Sequence, residues 1–252
     1  MILATTTSTQ DSGLLDVLIP MFKDQTGIDT KVIAVGTGAA IQMGVQGNAD
    51  AVLVHAPSLE RPAVDSGDLT DGKLVMHSDF VMVGPASDPA KIKGMKDLNA
   101  VMTAIAATGP FISRGDASGT NTAELALWKG ANIDPKTVKG YESTGQGMLA
   151  TLNVADQKNA YTLSDRATYL ANKSNLKLQI LVEGPIQLLN IYHVYIVNPA
   201  KHPGVKEAQA RAFVDFMVAP ATQQVIGDFQ KAKYGQQLFI ADAGKSEDSL
   251  GK

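Results

Sequence analysis

Three segments of the sequence are rich in hydroxyl and glycine residues, and each follows a run that is typical of a strand. They are Thr5 to Gly13, Gly36-Thr37-Gly38 and Ser113 to Thr120. In open α/β sheets, ligands bind beyond the carboxyl ends of the strands, where helix N-termini present free N–H groups and a partial positive charge. Hydroxyl groups add donors, and glycine allows the backbone to approach a ligand closely. The three segments together predict a site for a small anion, although in any one of them Ser, Thr and Asp could simply be helix N-caps.

Arg114, in the third segment, is the residue best suited to bind an anion. Its guanidinium is permanently charged, and its N–H groups match the edge of an oxyanion that carries two oxygens. Asp116 follows shortly after it and is expected to hold the guanidinium in place. The alternative for this pair is an exposed ion pair, which would contribute little to stability.

The elements that must position these segments alternate between strand-like and helix-like patterns, which predicts an α/β fold with mainly parallel sheets. Apolar residues between Leu14 and Phe22 are spaced for one buried helix face, and Gly27 ends that helix. The polar stretch Thr5 to Thr9 is expected to be a turn. The other predicted strands are Ile2–Ala4, Thr30–Val35, Ala51–Val54, Phe80–Val83, Phe111–Ser113, Ala160–Thr162, Leu178–Val182 and Val194–Val197. The other predicted helices are Gly36–Gln46, Leu98–Ala107, Gly119–Lys129, Gly147–Ala155, Asp165–Ala171, Val205–Val218 and Thr222–Lys231.

Two of the predicted strands end in a proline turn, Phe80–Pro85 and Val194–Pro199, and they bracket the middle of the chain. This arrangement predicts a discontinuous lobe I, residues 1–83 plus 199–252, and an inserted lobe II, residues 84–198. The expected architecture is two mixed sheets flanked by helices and joined by two crossover hinge strands. The alternative is one continuous doubly wound domain, because the length of a chain alone does not determine how many domains it forms.

Composition narrows the classes of function. The chain has 252 residues, a formal net charge of −3 and no cysteine. The net negative charge does not favour binding of nucleic acid. An anion therefore has to be captured by a local arrangement of donors. The absence of cysteine excludes disulfides, thiolate metal ligands and a cysteine nucleophile. The four histidines form no His-x-x-x-His pair, so neither a metal site nor a cofactor is predicted, and no apolar run approaches the ~20 residues of a membrane span.

Several separated motifs resemble known families. Arg114-Gly115-Asp116-Ala117-Ser118-Gly119-Thr120 resembles the Arg-x-Asp-x-Ser-Gly-Thr loop of periplasmic phosphate-binding proteins. Within that superfamily, the segment from Thr5 to Leu15 resembles the start of the tungstate-binding component of Tup-type ABC transporters. Val54-His55-Ala56-Pro57, Phe111 to Asp116 and Tyr161 to Arg166 are also similar to that family's motifs. The likeness extends over nearly the whole chain.

The resemblance implies the two α/β lobes of a type II-like periplasmic binding protein, which close over a small tetrahedral oxyanion and dock onto the membrane permease of an ABC importer. Tungstate is the expected ligand and molybdate its first alternative. The protein itself is expected to be a monomer. It also implies a periplasmic or otherwise extracytoplasmic location, with any signal peptide removed ahead of Met1. The implied ligand contacts are Ser8, Thr9, Arg114, Ser118, Gly119 and Thr120. Thr37 is added from its position at a strand end. Thr162, expected to end a short strand, is a weaker candidate that could equally be hydrogen-bonded to its neighbours.

His55 marks a departure from the phosphate-binding pattern. Phosphate binders place an acidic residue before Ala-Pro at this position, where it accepts a hydrogen bond from protonated phosphate; here His55 precedes Ala56-Pro57. A fully deprotonated dianion offers only acceptors, so a carboxylate would repel it and a donor is tolerated. His55 therefore favours tungstate, molybdate or sulfate over phosphate. The alternative is a structural histidine at a strand end.

The function expected from the sequence is binding of an oxyanion for import, without catalysis. Molybdate-, sulfate- or phosphate-binding proteins of the same fold are the first alternative. The alternative from another class is a hydrolase that uses a Ser or Thr near Arg114. The sequence disfavours it because no base is evidently paired with a nucleophile.

Overall fold

The computed structural model describes residues 1–250, which form two compact units. The first unit comprises Met1–Ser78 and Ile191–Leu250, and the second comprises Asp79–Asn190. The predicted α/β class, with mixed sheets flanked by helices, is confirmed. The chain passes from one unit to the other after Ser78 and again after Asn190. Both positions lie N-terminal to the predicted limits of lobe I, residues 1–83 plus 199–252, and of lobe II, residues 84–198. Those limits stay a prediction.

The helices and strands follow one another along the chain in close alternation, as the sequence patterns indicate. In chain order they are β1 (Ile2–Thr6), α1 (Thr7–Asp11), α2 (Leu14–Thr26), β2 (Lys31–Val35), α3 (Thr37–Val45), β3 (Ala51–Val54), α4 (Pro57–Asp65), β4 (Leu69–Gly84), α5 (Leu98–Thr108), β5 (Phe111–Ser113), α6 (Gly119–Gly130), β6 (Tyr141–Ser143), α7 (Met148–Lys158), β7 (Thr162–Asp165), α8 (Arg166–Asn172), β8 (Gln179–Val182), β9 (Leu189–Val197), α9 (Glu207–Val218), α10 (Pro220–Asp228), α11 (Lys231–Tyr234) and β10 (Ile240–Ala241).

The sheet of the first unit has the strand order β10-β4-β9-β3-β1-β2. Strands β2 and β3 both pair with β1 in the parallel direction, whereas β9 runs antiparallel to β3. Because β1, β2 and β3 are parallel, their carboxyl ends lie at one edge of the sheet. The segments that follow Thr6, Val35 and Val54 therefore start from the same edge.

Helix α2 shows how the apolar pattern builds the core of this unit. Leu14, Leu15, Leu18 and Phe22 are buried, and Gly27 ends the helix in the left-handed conformation. The Phe22 ring lies 5.2 Å from each of two phenylalanine rings of α9. Full burial of each such side chain stabilises the fold by about 1.5–3 kcal/mol.

The second unit is built around the end of β4. This part of β4 pairs antiparallel with β7 and with β8. Strand β5 pairs in parallel with β6, and Phe111 of β5 also bridges in parallel to Tyr161, the residue before β7. Phe111, Trp128 and Tyr161 are fully buried in the core of the unit. None of the helices within residues 1–250 combines the length and the apolar character needed to cross a bilayer.

Several predicted boundaries are wrong. Val194–Val197 is only the end of β9, and Thr222–Lys231 extends past the end of α10 at Asp228. The expected turn Thr5 to Thr9 is divided between β1 and the short helix α1, because β-branched Thr5 and Thr6 continue the strand. The predicted strand Phe80–Val83 is only the end of β4, whose exposed charged residues near its start hide the strand pattern. The strand expected at Ala160–Thr162 lies instead at Thr162–Asp165.

Candidate functional site

The first cluster of predicted site residues lies where β1 passes into α1. Thr6 is the N-cap of α1, and its Oγ1 accepts a hydrogen bond from the Thr9 backbone N–H at 3.2 Å. The same oxygen lies 2.7 Å from Thr9 Oγ1 and 3.2 Å from Ser8 Oγ. Ser8 and Thr9 are both buried. The hydroxyls of this segment therefore hydrogen-bond to one another.

His55 joins the same cluster from the end of β3. Its Nε2 lies 2.8 Å from Thr6 Oγ1 and 3.0 Å from Ser8 Oγ, so the donor in each contact depends on the tautomer of the ring. The ring is buried and stacks on Tyr192, with centroids 4.6 Å apart. The next residue, Ala56, donates its N–H to Glu60 Oε1 at 2.6 Å, which fixes the turn into α4. Sequence reasoning missed the Ser8–His55 contact because the two residues are far apart in the chain.

Thr37 completes the set at this edge of the sheet. It is the first residue of α3, and it is buried. Gly36, the N-cap, contributes no capping side chain, so the first turn of α3 presents its N–H groups without a side-chain acceptor from the cap. Because β1, β2 and β3 are parallel, Ser8, Thr37 and His55 all follow strand ends at the same edge.

The second cluster is the loop between β5 and α6. Arg114 is only 4 % exposed, and its Nε and Nη2 donate to Asp116 Oδ2 at 3.1 and 2.5 Å. Asp116 Oδ1 in turn accepts from the Ser118 N–H at 3.2 Å. Asp116 thus connects the guanidinium to the start of α6, as the sequence predicted. The pair is buried on the arginine side, so the alternative of an exposed surface pair is wrong.

The backbone of this loop is tightly turned. Gly115 has a φ of +61°, and a Cβ at this position would lie 2.5 Å from the Cβ of Ser143. Ala117 also adopts the left-handed conformation, with a φ of 55°. This conformation is unfavourable for a residue that carries a Cβ. The loop therefore holds its shape at a cost in conformational energy, which is typical of binding and catalytic loops.

The N-terminus of α6 carries the remaining predicted residues. Ser118 is the N-cap, and its hydroxyl accepts from the Asn121 N–H at 3.2 Å. Gly119 and Thr120 form the first turn, and both are buried. Thr120 Oγ1 has no hydrogen-bond partner among the described residues, although it is shielded from solvent. A buried hydroxyl without a partner costs free energy unless a ligand satisfies it.

Glu124 supports this loop from within α6, and the sequence did not reveal it. Its carboxyl group accepts hydrogen bonds from Ser113 Oγ, Asn121 Nδ2, Trp128 Nε1 and Tyr141 OH, at 2.5 to 3.3 Å. Burial raises the pKa of Glu124, and these donors act in the opposite direction. Burial and the nearby carboxyl raise the pKa of Tyr141 to about 12, so its hydroxyl remains a donor at neutral pH. The only sign of this role in the sequence is a glutamate within a predicted helix, four residues before Trp128.

Thr162 does not lie where the sequence placed it. It begins β7 rather than ending a strand, and its hydroxyl makes only a long contact of 3.4 Å with the carbonyl of Leu163. The strand ends at Asp165, which is buried and caps α8. Since β5 and β7 run in parallel, Asp165 and not Thr162 lies at the end of the strand nearest Arg114. In the sequence, Asp165 could have been recognised as the end of the strand because an aspartate there precedes a helical pattern, as an N-cap does.

The structure therefore forms two groups of predicted residues, one in each unit. The first contains Ser8, Thr9 and His55 in direct hydrogen-bond contact, with Thr37 at the same sheet edge. The second contains Arg114, Ser118, Gly119 and Thr120 in one loop and helix start. Within residues 1–250, no group of three or more His, Asp or Glu side chains is arranged to hold a metal ion.

Comparisons with known proteins give consistent matches. Residues 1–221 match the model of the PBP superfamily domain. The chain is 47% identical over 247 residues to the tungstate-binding protein TupA of Peptoclostridium acidaminophilum, which covers 97% of this chain and 86% of that protein. It is 43% identical to a putative ABC transporter anion-binding protein of Haloferax volcanii, over 99% of this chain and 74% of that protein. The solved structure of the tungstate-binding protein TupA from Desulfovibrio alaskensis G20 superposes with a TM-score of 0.84 at 46% identity, over 96% of this chain and 98% of that chain.

Proposed function

This chain belongs to the PBP superfamily and, within it, to the family of the TupA proteins, and from this premise we propose that it binds tungstate for delivery to an ABC importer. The motifs quoted above indicated this family. The proposed location is extracytoplasmic, where a binding protein can capture its ligand and present it to a membrane permease. Molybdate, which has nearly the same shape and charge, is the second ligand that the site is expected to accept.

The observation that carries this proposal is the buried guanidinium of Arg114 beside the N-terminus of α6. A buried charge needs a partner, and Asp116 holds only the Nε and Nη2 side of the guanidinium fork. The same loop contains the Thr120 hydroxyl, which is buried and has no hydrogen-bond partner among residues 1–250. An oxyanion would satisfy the guanidinium and this hydroxyl at once, with charge-assisted hydrogen bonds.

The first cluster supports the same ligand with neutral donors. Ser8, Thr9 and Thr37 offer hydroxyl groups, and their helices offer backbone N–H groups at the ends of parallel strands. We propose that the anion contacts are Ser8, Thr9, Thr37, Arg114, Ser118, Gly119 and Thr120. His55 contributes by holding the hydroxyls of Thr6 and Ser8 in place.

Hydrolysis is the second candidate, and one observation favours it. Ser8 Oγ lies 3.0 Å from His55 Nε2, a distance that suits a nucleophile and its base. This pair lies in the first unit, whereas the hydrolase considered from the sequence would use a Ser or Thr near Arg114 in the second unit. We nevertheless propose binding without turnover, because the pair is shared with Thr6 and because the relatives are binding proteins by name. Turnover of activated phosphate and acyl esters that is lost in Ser8→Ala would replace this proposal.

Competitive calorimetry tests the ligand. Tungstate is titrated into the protein alone and then in the presence of excess molybdate, sulfate or phosphate. Tungstate and molybdate are expected to bind most tightly. Phosphate is expected to compete poorly, because its remaining proton finds no acceptor, at a cost of ~1–3 kcal/mol. Phosphate binding as tight as tungstate binding would overturn the proposal in favour of a phosphate-binding protein.

A further inference from the structure

Glu124 is a buried acid that the proposed function does not place in contact with the ligand, and its two carboxyl oxygens have different partners. Oε1 accepts hydrogen bonds at 2.9 Å from Trp128 Nε1 and Tyr141 OH, which pack in the core of the second unit. Oε2 accepts instead from Ser113 Oγ at 2.5 Å and from Asn121 Nδ2 at 3.3 Å. The first of these residues ends β5 and the second lies in the first turn of α6. Oε2 is therefore connected to both ends of the loop between β5 and α6.

The Ser113 hydroxyl connects Glu124 to the N-terminal part of this loop. Its oxygen accepts hydrogen bonds from the Gly115 N–H and from Asn121 Nδ2, each at 3.2 Å. A hydroxyl group has one proton to donate and two acceptor positions. Both acceptor positions are therefore occupied, and the proton of Ser113 is left for Glu124. Oε2 consequently has to be the acceptor in this contact.

The Asn121 side chain connects Glu124 to the C-terminal part of the loop. Its Oδ1 accepts a hydrogen bond from the Ala117 N–H at 3.1 Å. Because a backbone N–H can only donate, this contact determines which end of the amide is the oxygen. Nδ2 is then the end that faces Ser113 and Glu124, and it too needs an acceptor there.

Gly115 and Ala117 lie on either side of Asp116, the residue that binds the guanidinium of Arg114. Both adopt the left-handed conformation, which is unfavourable for Ala117 because it carries a Cβ. A strained backbone keeps such a conformation only where the surrounding structure holds it. The hydrogen bonds from these two N–H groups provide that support, and they therefore determine where Asp116 and Arg114 lie.

We propose that Glu124 is a positioning residue of the anion site, whose Oε2 holds the loop between β5 and α6 in its binding conformation through Ser113 and Asn121. This inference rests on the proposed function. Both groups that reach Oε2 donate, so the position needs a side chain that accepts. Without that acceptor, the two relay side chains lose the partner that orients them, and the backbone N–H groups of the loop lose their fixed acceptors in turn.

Glu124→Met tests the need for an acceptor, because methionine has a similar length but its sulfur is only a weak acceptor. The variant is expected to bind tungstate more weakly by about tenfold or more, since the loop no longer holds the guanidinium in place. Calorimetry with tungstate measures Kd. Melting curves establish that the variant is folded at the temperature of the titration.

A reversed pair of side chains provides the rescue. In the double variant Glu124→Gln/Asn121→Asp, the introduced amide donates to Ser113 Oγ and to the introduced carboxylate. That carboxylate accepts the Ser113 proton and keeps the contact with the Ala117 N–H, while the amide oxygen takes over the two contacts of Oε1. Every donor thus keeps an acceptor, and Kd is expected to return to within about threefold of the wild-type value.

Glu142→Met is the matched control. Glu142 is an exposed acid of the same unit that pairs with Lys158, and its replacement should leave Kd unchanged. A purely structural role of Glu124 would lower the melting temperature of Glu124→Met but leave the Kd of the folded protein at the wild-type value. That result would overturn the inference, as would a double variant that binds no more tightly than Glu124→Met.

Ser113→Ala decides the question if Glu124→Met does not fold. It removes the acceptor of the Gly115 N–H and leaves the carboxyl group in place, so Kd should rise by about threefold or more. A wild-type Kd in this variant would then show that the relay has no role in binding.

The two proposals fail in different ways. If the wild-type protein does not bind tungstate, the proposed function fails. If the wild-type protein binds tungstate and the folded variants bind it equally well, the proposed function stands and the positioning role of Glu124 is wrong.

Discussion

The two clusters of proposed anion-binding residues differ in how their polar groups are satisfied before a ligand arrives. In the first cluster, Thr6, Ser8 and His55 form a closed group of hydrogen bonds. In the second, Thr120 Oγ1 is buried without a partner in the part of the chain that the structure describes, in the same loop and helix start as the buried guanidinium of Arg114. An anion must compete with existing hydrogen bonds in the first cluster, whereas in the second it satisfies groups that are otherwise unsatisfied. We therefore expect the second cluster to dominate affinity and the first to contribute chiefly to order and stability.

Arg114→Ala is expected to have the largest effect. Removal of the charged donors should weaken tungstate binding by roughly 2–5 kcal/mol, because a buried anion would lose its charge-assisted partner. Arg114→Lys should recover only part of the loss, since lysine keeps the charge but not the planar fork. Calorimetry measures both variants. The matched control is Arg211→Ala, which removes an exposed arginine that pairs with Asp71 and Glu207 and should leave affinity unchanged.

Thr120→Val tests whether an unpartnered hydroxyl serves the ligand. The variant should weaken tungstate binding by about 1.5–3 kcal/mol, the value of a hydrogen bond to a charged group. The unfolding free energy of the ligand-free protein should stay the same or rise, because valine fills the same space without a buried unsatisfied oxygen. Urea denaturation and calorimetry on the same preparations separate the two effects. A loss of stability with unchanged affinity would show that Thr120 is structural.

Ser8→Ala should give the opposite pattern in the first cluster. The variant leaves His55 Nε2 with one fewer partner, so the unfolding free energy should fall by about 0.5–1.5 kcal/mol. Affinity for tungstate should fall less than in Thr120→Val. If Ser8→Ala instead weakens binding more than Thr120→Val, the proposed difference between the clusters is incorrect.

The smallest expected effect concerns how the unfolding free energy of the protein depends on pH. We expect this dependence to arise from His193, which lies close to the first cluster. His193 donates to Glu60, the residue that holds the Ala56 N–H beside His55. Burial disfavours the charged imidazolium, but Glu60 and Glu247 outweigh burial, so the pKa of His193 is raised. A raised histidine pKa contributes stability that is fully present below the ordinary histidine pKa and is lost as pH rises through the raised one.

The unfolding free energy of the ligand-free protein is therefore expected to decrease from mildly acidic to alkaline pH. His193→Gln should flatten this dependence while leaving the affinity for tungstate unchanged. Urea denaturation at several pH values measures the first effect, and calorimetry measures the second. A wild-type stability that rises over this range would contradict the assignment to His193.

Local patterns in the sequence were sufficient to predict the α/β class, most of the elements and the position of the loop before α6. Apolar spacing and Gly27 defined α2, and the hydroxyl-rich run from Ser113 to Thr120 located the start of α6. The motifs also identified the family. These features depend on interactions between residues a few positions apart, which is the range over which periodicity and capping operate.

Only the tertiary structure decided which side chains meet. His55 reaches Ser8 because β1 and β3 are adjacent and parallel, and Tyr141 reaches Glu124 because β6 pairs with β5. Asp165, and not Thr162, lies at the end of β7 on the side of Arg114, because β7 begins later than its apolar pattern suggested. Each contact depends on strand order and register, and a shift of one residue reverses the face to which a side chain points. Pairing over such separations is a property of the packed sheet, and short-range sequence patterns carry no information about it.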